Sequence, residues 1–194
     1  MSESKAWQLK IFNKTLKKKE KLAIIRRLLP DLNDAVCLDL GCARGTISYF
    51  LRKEGGHWIH EDLDVVNVQV TKDLVGDGAV VIPPDGLPHP DDTFDVIVSL
   101  DILEHLHGDH HFVREMTRVL KPGGKLLIYA PFMVPFHAAP YDFYRWTRPG
   151  LEKLLADFSE IDIQIGGGPT SGMLWTFQEW LATLLSFGLR PVHD

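Results

Sequence analysis

Cysteine is scarce, long apolar runs are missing and positive charge is not in excess, and each lack removes a class of protein. The two cysteines among 194 residues, Cys37 and Cys42, stand in a predicted strand and a tight turn. That is neither a zinc spacing nor a disulfide framework, so reduced thiols are expected. No stretch of about 18 apolar residues is present, so no membrane-spanning helix is predicted. The start MSESKAWQLK has neither the apolar core nor the small-residue cleavage site of a secretory signal, and a cytoplasmic location is expected. With 21 Lys and Arg against 26 Asp and Glu, the net charge of -5 argues against a broad phosphate-binding surface, and nucleic acid is not the expected partner.

What is present is a globular composition, 45% hydrophobic and 24% charged, in a chain long enough to bury a core. Neither a repeat nor a linker rich in Gly, Pro or Ser divides it, so one domain over 1–194 is expected. Its parts are a basic N-terminal helix (1–30), a core (33–166) that includes a long loop (131–147), and an apolar C-terminal helix (173–189). Lys14, Lys17, Lys18, Lys19, Lys21, Arg26 and Arg27 interleave with Ile11, Leu16, Ile24 and Leu28, which predicts one amphipathic helix ended by Pro30. A solvated basic face is the first reading; an anionic membrane or substrate is the alternative.

Beyond Pro30, short apolar runs alternate with helical stretches. Strands are predicted at Val36 to Leu40, His57 to Asp62, Ala79 to Ile82, Phe94 to Leu100, Lys125 to Ala130 and Ile161 to Ile165. Helices are predicted at Thr46 to Lys53, Val65 to Val75, Asp109 to Leu120 and Arg148 to Asp157. This order implies an α/β fold, a Rossmann-like, doubly wound, mostly parallel sheet with helices on both faces. Loops at Pro83 to Pro90 and Pro131 to Pro140 are placed to build a ligand crevice.

The first strand runs into Gly41, Cys42, Ala43, Arg44 and Gly45. Gly41 and Gly45 have no side chain to obstruct a ligand approaching the backbone. The turn lacks the Gly-x-Gly-x-x-Gly spacing of dinucleotide sites and the Gly-Lys-Ser/Thr ending of phosphate loops.

Leu38-Asp39-Leu40-Gly41-Cys42-Ala43-x-Gly45 resembles the first motif of class I methyltransferases, typically Leu-Asp-Leu-Gly-Cys-Gly-x-Gly, with Ala43 in place of the central glycine. The resemblance covers roughly residues 33–150 and includes the Leu87 to Val98 segment and Glu115 to Leu126, with its Lys-Pro-Gly-Gly turn. It implies that S-adenosyl-L-methionine is the methyl donor, with S-adenosyl-L-homocysteine as product. By that resemblance Asp39, Gly41, Cys42, Ala43 and Gly45 face the methionine part. Asp62, beside Leu63, holds the ribose, because a carboxylate accepts two hydrogen bonds at once; Asp64 is the alternative and also a helix-cap candidate. Asp85, with Gly86 and Leu87, serves the adenine pocket, Asp77 being the alternative. Ser99 and Leu100 close the donor site at the end of the fourth strand.

Asp101, Glu104 and His105 follow that strand at helical spacing, one face pointed at the methyl end by the resemblance. They read first as a hydrogen-bonded network lining a pocket and only second as a metal site, so no metal is assigned. His105 is a candidate general base, since imidazole titrates near neutrality. The 131–147 loop offers a second, His137, and the polar acceptor contacts Tyr141, Asp142 and Arg145; alternatively Asp142 and Arg145 simply pair. His107, His110 and His111 read as exposed.

Leu174, Phe177, Leu181, Leu184 and Leu185 form an apolar side of the C-terminal helix, expected to pack against the sheet or across a homodimer, with peripheral membrane contact as the alternative. The antiparallel last strand usual in the family is not recognised. The expected reaction is direct in-line methyl displacement onto a small-molecule or lipid-like acceptor. Nothing resembles the Asn-Pro-Pro-Tyr motif of nucleobase amino methylation. Two rivals are a catalytically silent cofactor-binding scaffold and a nicotinamide-dependent oxidoreductase, the latter disfavoured by the missing dinucleotide fingerprint.

Overall fold

Runs of β-branched and aliphatic residues with no polar alternation belong to strands buried on both faces. The computed structural model describes residues 3–83, 85–106, 108–137 and 141–185, and it places five strands in one sheet: β1 (Val36–Leu40), β2 (His57–Asp62), β3 (Ala79–Val81), β4 (Phe94–Leu100) and β5 (Leu120–Tyr129), of which β1 and β4 are runs of this kind. Their order is β3-β2-β1-β4-β5, and β1 pairs in parallel with β2 and β4, as β2 does with β3. Cys37, Leu38, Leu40, Val96, Ile97 and Val98 are all buried, so neither face of the central strands meets water. The α/β doubly wound expectation holds.

Helices α3 (Thr46–Leu51), α4 (Val65–Val75) and α5 (Asp109–Val119) supply the crossovers. Asp64 caps α4, its carboxylate accepting from Val66 N. The predicted N-terminal helix is instead two, α1 (Glu3–Lys14) and α2 (Leu16–Leu28). The break is at Thr15, where φ is -102° and the hydroxyl donates to Ile11 O at 2.9 Å, the back-bonding that competes with helix continuation. Leu22 and Ile25 of α2 are buried while Lys17, Lys18 and Lys19 are exposed, as a solvated basic face requires.

The described residues form two compact units, one drawn from 1–100 and 111–128, the other from 101–110 and 129–194. In the second lie α6 (Arg148–Leu154) and α7 (Pro169–Leu185). The strand expected at Ile161 to Ile165 is irregular: its alternation is real, but no ladder forms there and Ile165 is 88% exposed. Period-two hydrophobicity makes a strand only where another backbone accepts its hydrogen bonds. Helix α7 begins earlier than expected, and residues 186–189 of the expected helix lie outside the described residues. Leu174, Phe177, Leu184 and Leu185 of this helix are each more than half exposed. Among the described residues no helix is long and apolar enough to cross a membrane.

Candidate active site

Parallel pairing brings the carboxyl ends of three strands to one level: Leu40 is in register with Glu61 on β2 and with Ser99 on β4. The strand order reverses between β1 and β4, which is where open α/β sheets form their ligand crevice. Gly41 to Gly45 leaves β1 at this point. Gly41 N–H and Cys42 N–H both donate to Glu61 O, at 2.7 and 2.9 Å, tying the turn to β2. Gly41, Ala43 and Gly45 all have positive φ, +82°, +47° and +71°. Gly45 has no room for a Cβ, which would stand 2.7 Å from Thr71 Oγ1.

The turn is held by side chains that sequence reasoning placed and by others it missed. Asp62 accepts from Ala43 N–H through Oδ2 (2.8 Å) and from Asp64 N–H and Asn67 Nδ2 through Oδ1, which leaves Oδ2 a second lone pair. Thr71, on α4, donates to Ala43 O at 2.9 Å. Asp39 is buried and accepts from Ser48 Oγ (2.5 Å) and His60 Nδ1 (2.9 Å). Glu61, also buried, accepts from His89 Nε2 at 2.7 Å. No local signal marks Ser48, His60, Thr71 or His89, because each is recruited by packing rather than by motif.

Leu63, Ala43 and Asp85 are exposed, Cys42, Gly45, Gly86, Leu87 and Ser99 are buried, and Leu100 is half-buried. Ser99 Oγ has no hydrogen-bond partner among the described residues, an orphaned polar atom at the carboxyl end of β4. The Gly86 to Asp91 loop hangs on α5: Leu87 N–H donates to Glu115, while Arg118 donates to Glu115, Asp91 and the carbonyls of Leu87 and His89. The Arg118 guanidinium holds the Glu115 carboxyl below its ordinary range.

The second unit gathers the candidate bases. The helical face expected of Asp101, Glu104 and His105 is not formed: Asp101 is exposed with φ +50°, and only Leu103–His105 form a short 3-10 turn. Glu104 is fully buried. Its Oε1 lies 3.8 Å from His105 Nε2 and 3.9 Å from His137 Nε2, so the structure unites two histidines that the sequence offered separately. Phe143 N–H donates to Glu104 O at 2.7 Å, stapling the loop to this turn.

Asp142 and Arg145 pair bidentately, and Arg145 also donates to the carbonyls of Val134, Pro135 and Tyr144. Arg145 therefore clasps the loop on itself, and its guanidinium holds the Asp142 carboxyl down at about 2. Tyr141 is exposed. His110 is exposed and His111 half-buried, while His107 lies outside the described residues.

Residues 38–128 match the family model described as a methyltransferase domain. The chain is 31% identical over 143 residues to a demethylmenaquinone methyltransferase of Clavibacter sepedonicus, an alignment covering 70% of this chain and 58% of that one. It is 29% identical over 133 residues to a 2-methyl-6-phytyl-1,4-hydroquinone methyltransferase of Synechocystis, covering 63% and 39%. The chain spans about half the length of the curated relatives it matches. Among solved structures, an S-adenosylmethionine-dependent methyltransferase of Mesorhizobium loti shares the fold with a TM-score of 0.63 at 20% identity, covering 86% of this chain and 92% of that one. Over residues 38–128 the chain belongs to the methyltransferase domain family, and its fold is that of the class I S-adenosylmethionine-dependent methyltransferases.

Proposed function

We propose that the chain transfers a methyl group from S-adenosyl-L-methionine to a small quinol-type or lipid-like acceptor by direct in-line displacement. The observation that carries this reading is the left-handed turn Gly41 to Gly45 at the aligned carboxyl ends of β1, β2 and β4. The residues present fit the donor. The turn backbone and Asp39 would serve its methionine part, Asp62 and Leu63 its ribose, and Asp85, Gly86 and Leu87 its adenine. Ser99, whose buried hydroxyl has no partner among the described residues, and Leu100 would complete that site.

The donor supplies an electrophilic sulfonium methyl, so the chain needs no covalent nucleophile of its own. Its contribution is to position the acceptor and, where a hydroxyl is methylated, to remove a proton. His105 or His137 would take that proton. Asp101, Glu104 and Tyr141 would line the acceptor pocket, with Arg145 holding the wall in shape. A quinol-type acceptor is supported by the names of the relatives and by the exposed aromatics Phe132, Phe136, Tyr141, Phe143 and Tyr144. The exposed apolar face of α7 suits a lipid-like substrate, a membrane surface or a second copy of the chain.

Calorimetric titration with S-adenosylhomocysteine and with NAD, followed by transfer of labelled methyl to demethylated quinols, tests this reading. Saturable binding of S-adenosylhomocysteine alone, with label entering a quinol, is the expected result. Silence toward S-adenosylhomocysteine at millimolar concentration would overturn it, and binding without any transfer would favour a scaffold domain.

A further inference from the structure

We infer that His60 and Ser48 are positioning residues for the methyl donor, an inference that rests on the donor reading proposed above. They hold one oxygen of Asp39 so that the other is presented to the ammonium of the donor's amino-acid end.

Asp39 and His60 are paired across β1 and β2, so both side chains leave the sheet on one face. Ser48 reaches the same carboxylate from α3. Both bonds fall on Oδ2, at 2.5 Å from Ser48 Oγ and 2.9 Å from His60 Nδ1. A carboxylate only accepts, so the hydroxyl donates and the imidazole carries a proton on Nδ1. Oδ1 receives no hydrogen bond among the described residues.

Charge points the same way. Asp39 is 2% exposed, and among the described residues no Lys or Arg comes within ion-pair distance of it. A buried carboxylate without a cation is costly, and a ligand that brings a positive charge offsets that cost. The donor's amino-acid end carries one ammonium and one carboxylate, and only the ammonium suits an acidic oxygen. Asp39 stands two residues before the Gly41 to Gly45 turn, whose backbone that end of the donor would approach.

Packing does not account for His60. The ring is fully buried and its Nε2 has no partner among the described residues, a cost that an apolar side chain would avoid. It lies parallel to the Trp58 ring, 6.4 Å away at 8°, so its plane is set by that neighbour. The ring nitrogen that does find a partner is the one directed at Asp39.

The test compares two probes by calorimetry on the full chain, S-adenosylhomocysteine and methylthioadenosine, which keeps the nucleoside and the sulfur but lacks the amino-acid end. His60→Gln moves the side-chain N–H to the place of Nε2, whereas His60→Asn keeps it at the place of Nδ1. His60→Gln and Ser48→Ala should each weaken S-adenosylhomocysteine binding by at least about tenfold, the size of one lost hydrogen bond to a charged group. Methylthioadenosine affinity should stay within about twofold in both variants. His60→Asn should keep most of the affinity for S-adenosylhomocysteine. In the wild-type chain, the Nδ1–H proton signal of His60 should shift on adding S-adenosylhomocysteine and not on adding methylthioadenosine, a readout that survives if a variant fails to fold. Equal losses for both probes, no loss, a His60→Asn variant as weak as His60→Gln, or an unmoved signal would overturn the inference and leave the donor reading standing. A wild-type chain that does not bind S-adenosylhomocysteine overturns the donor reading, and this inference with it.

Discussion

Ala43 N–H donates to Asp62 Oδ2 at 2.8 Å, so the carboxylate that ends β2 braces the one residue of the glycine turn that is not suited to its backbone angle. Asp62→Asn keeps the size but can turn an amide donor toward that N–H. A loss of at least about tenfold in S-adenosylhomocysteine affinity is expected, with a small change in stability. Unchanged affinity would remove Asp62 from the donor site.

Ala43 holds φ +47°, where a Cβ costs about 1–2 kcal/mol, against about 0.4–1 kcal/mol of unfolded-state entropy that glycine would restore. Ala43→Gly is therefore expected to stabilise the chain by about 0.5–1 kcal/mol, read from the urea midpoint. A lower midpoint would mean that the methyl group makes a contact worth more than the strain.

Gly45→Ala should act in the opposite direction. The new Cβ would meet Thr71 Oγ1 at 2.7 Å and Thr71 Cα at 3.0 Å, at φ +71°. Because α4 backbone must move, a loss of about 2–4 kcal/mol is expected together with donor binding. Wild-type stability in the same urea experiment would contradict the packing described.

The Asp142 carboxyl, held at about 2 chiefly by the Arg145 guanidinium and also by His137 N–H, sets a pH window. A depressed carboxyl stabilises the native state above its unfolded value of about 3.9. That stability is lost as pH falls through about 2. After allowance for solvent it amounts to at most about 2 kcal/mol. The His137 amide resonance should titrate with a midpoint near 2 and lose that titration in Asp142→Asn. A midpoint at the ordinary carboxylate value would sink the assignment.

Burial pushes the Cys37 thiol up to about 11 and the Cys42 thiol well above its usual range, the latter helped by Asp39. Both are free and buried. Alkylation at pH 8 should be slower in the native chain than in urea by at least about a hundredfold, since only opening exposes a thiolate. Fast labelling of either would show that the sheet or the turn opens locally.

Strands β1, β2 and β4 and the helix between β2 and β3 were legible to the residue, because each is a contiguous pattern closed by its own turn or cap. Lys121 to Gly124 read as a turn, yet β5 begins at Leu120, ahead of it. Thr15 shows the same limit, since neither its backbone angles nor its bond to Ile11 O can be read from the basic-apolar alternation around it.

What the sequence determined by itself is the order of strands and helices from β1 to β5, the glycine turn after the first strand and the acid that closes the second, all set by residues adjacent in the chain. The tertiary structure alone decided that β4 and not β3 lies beside β1, that Ala43 is left-handed, that 161–165 finds no strand partner, and that His137 meets Glu104 and His105. The reason is that these are relations between segments distant in sequence, where pairing and close packing, not local propensity, set the outcome.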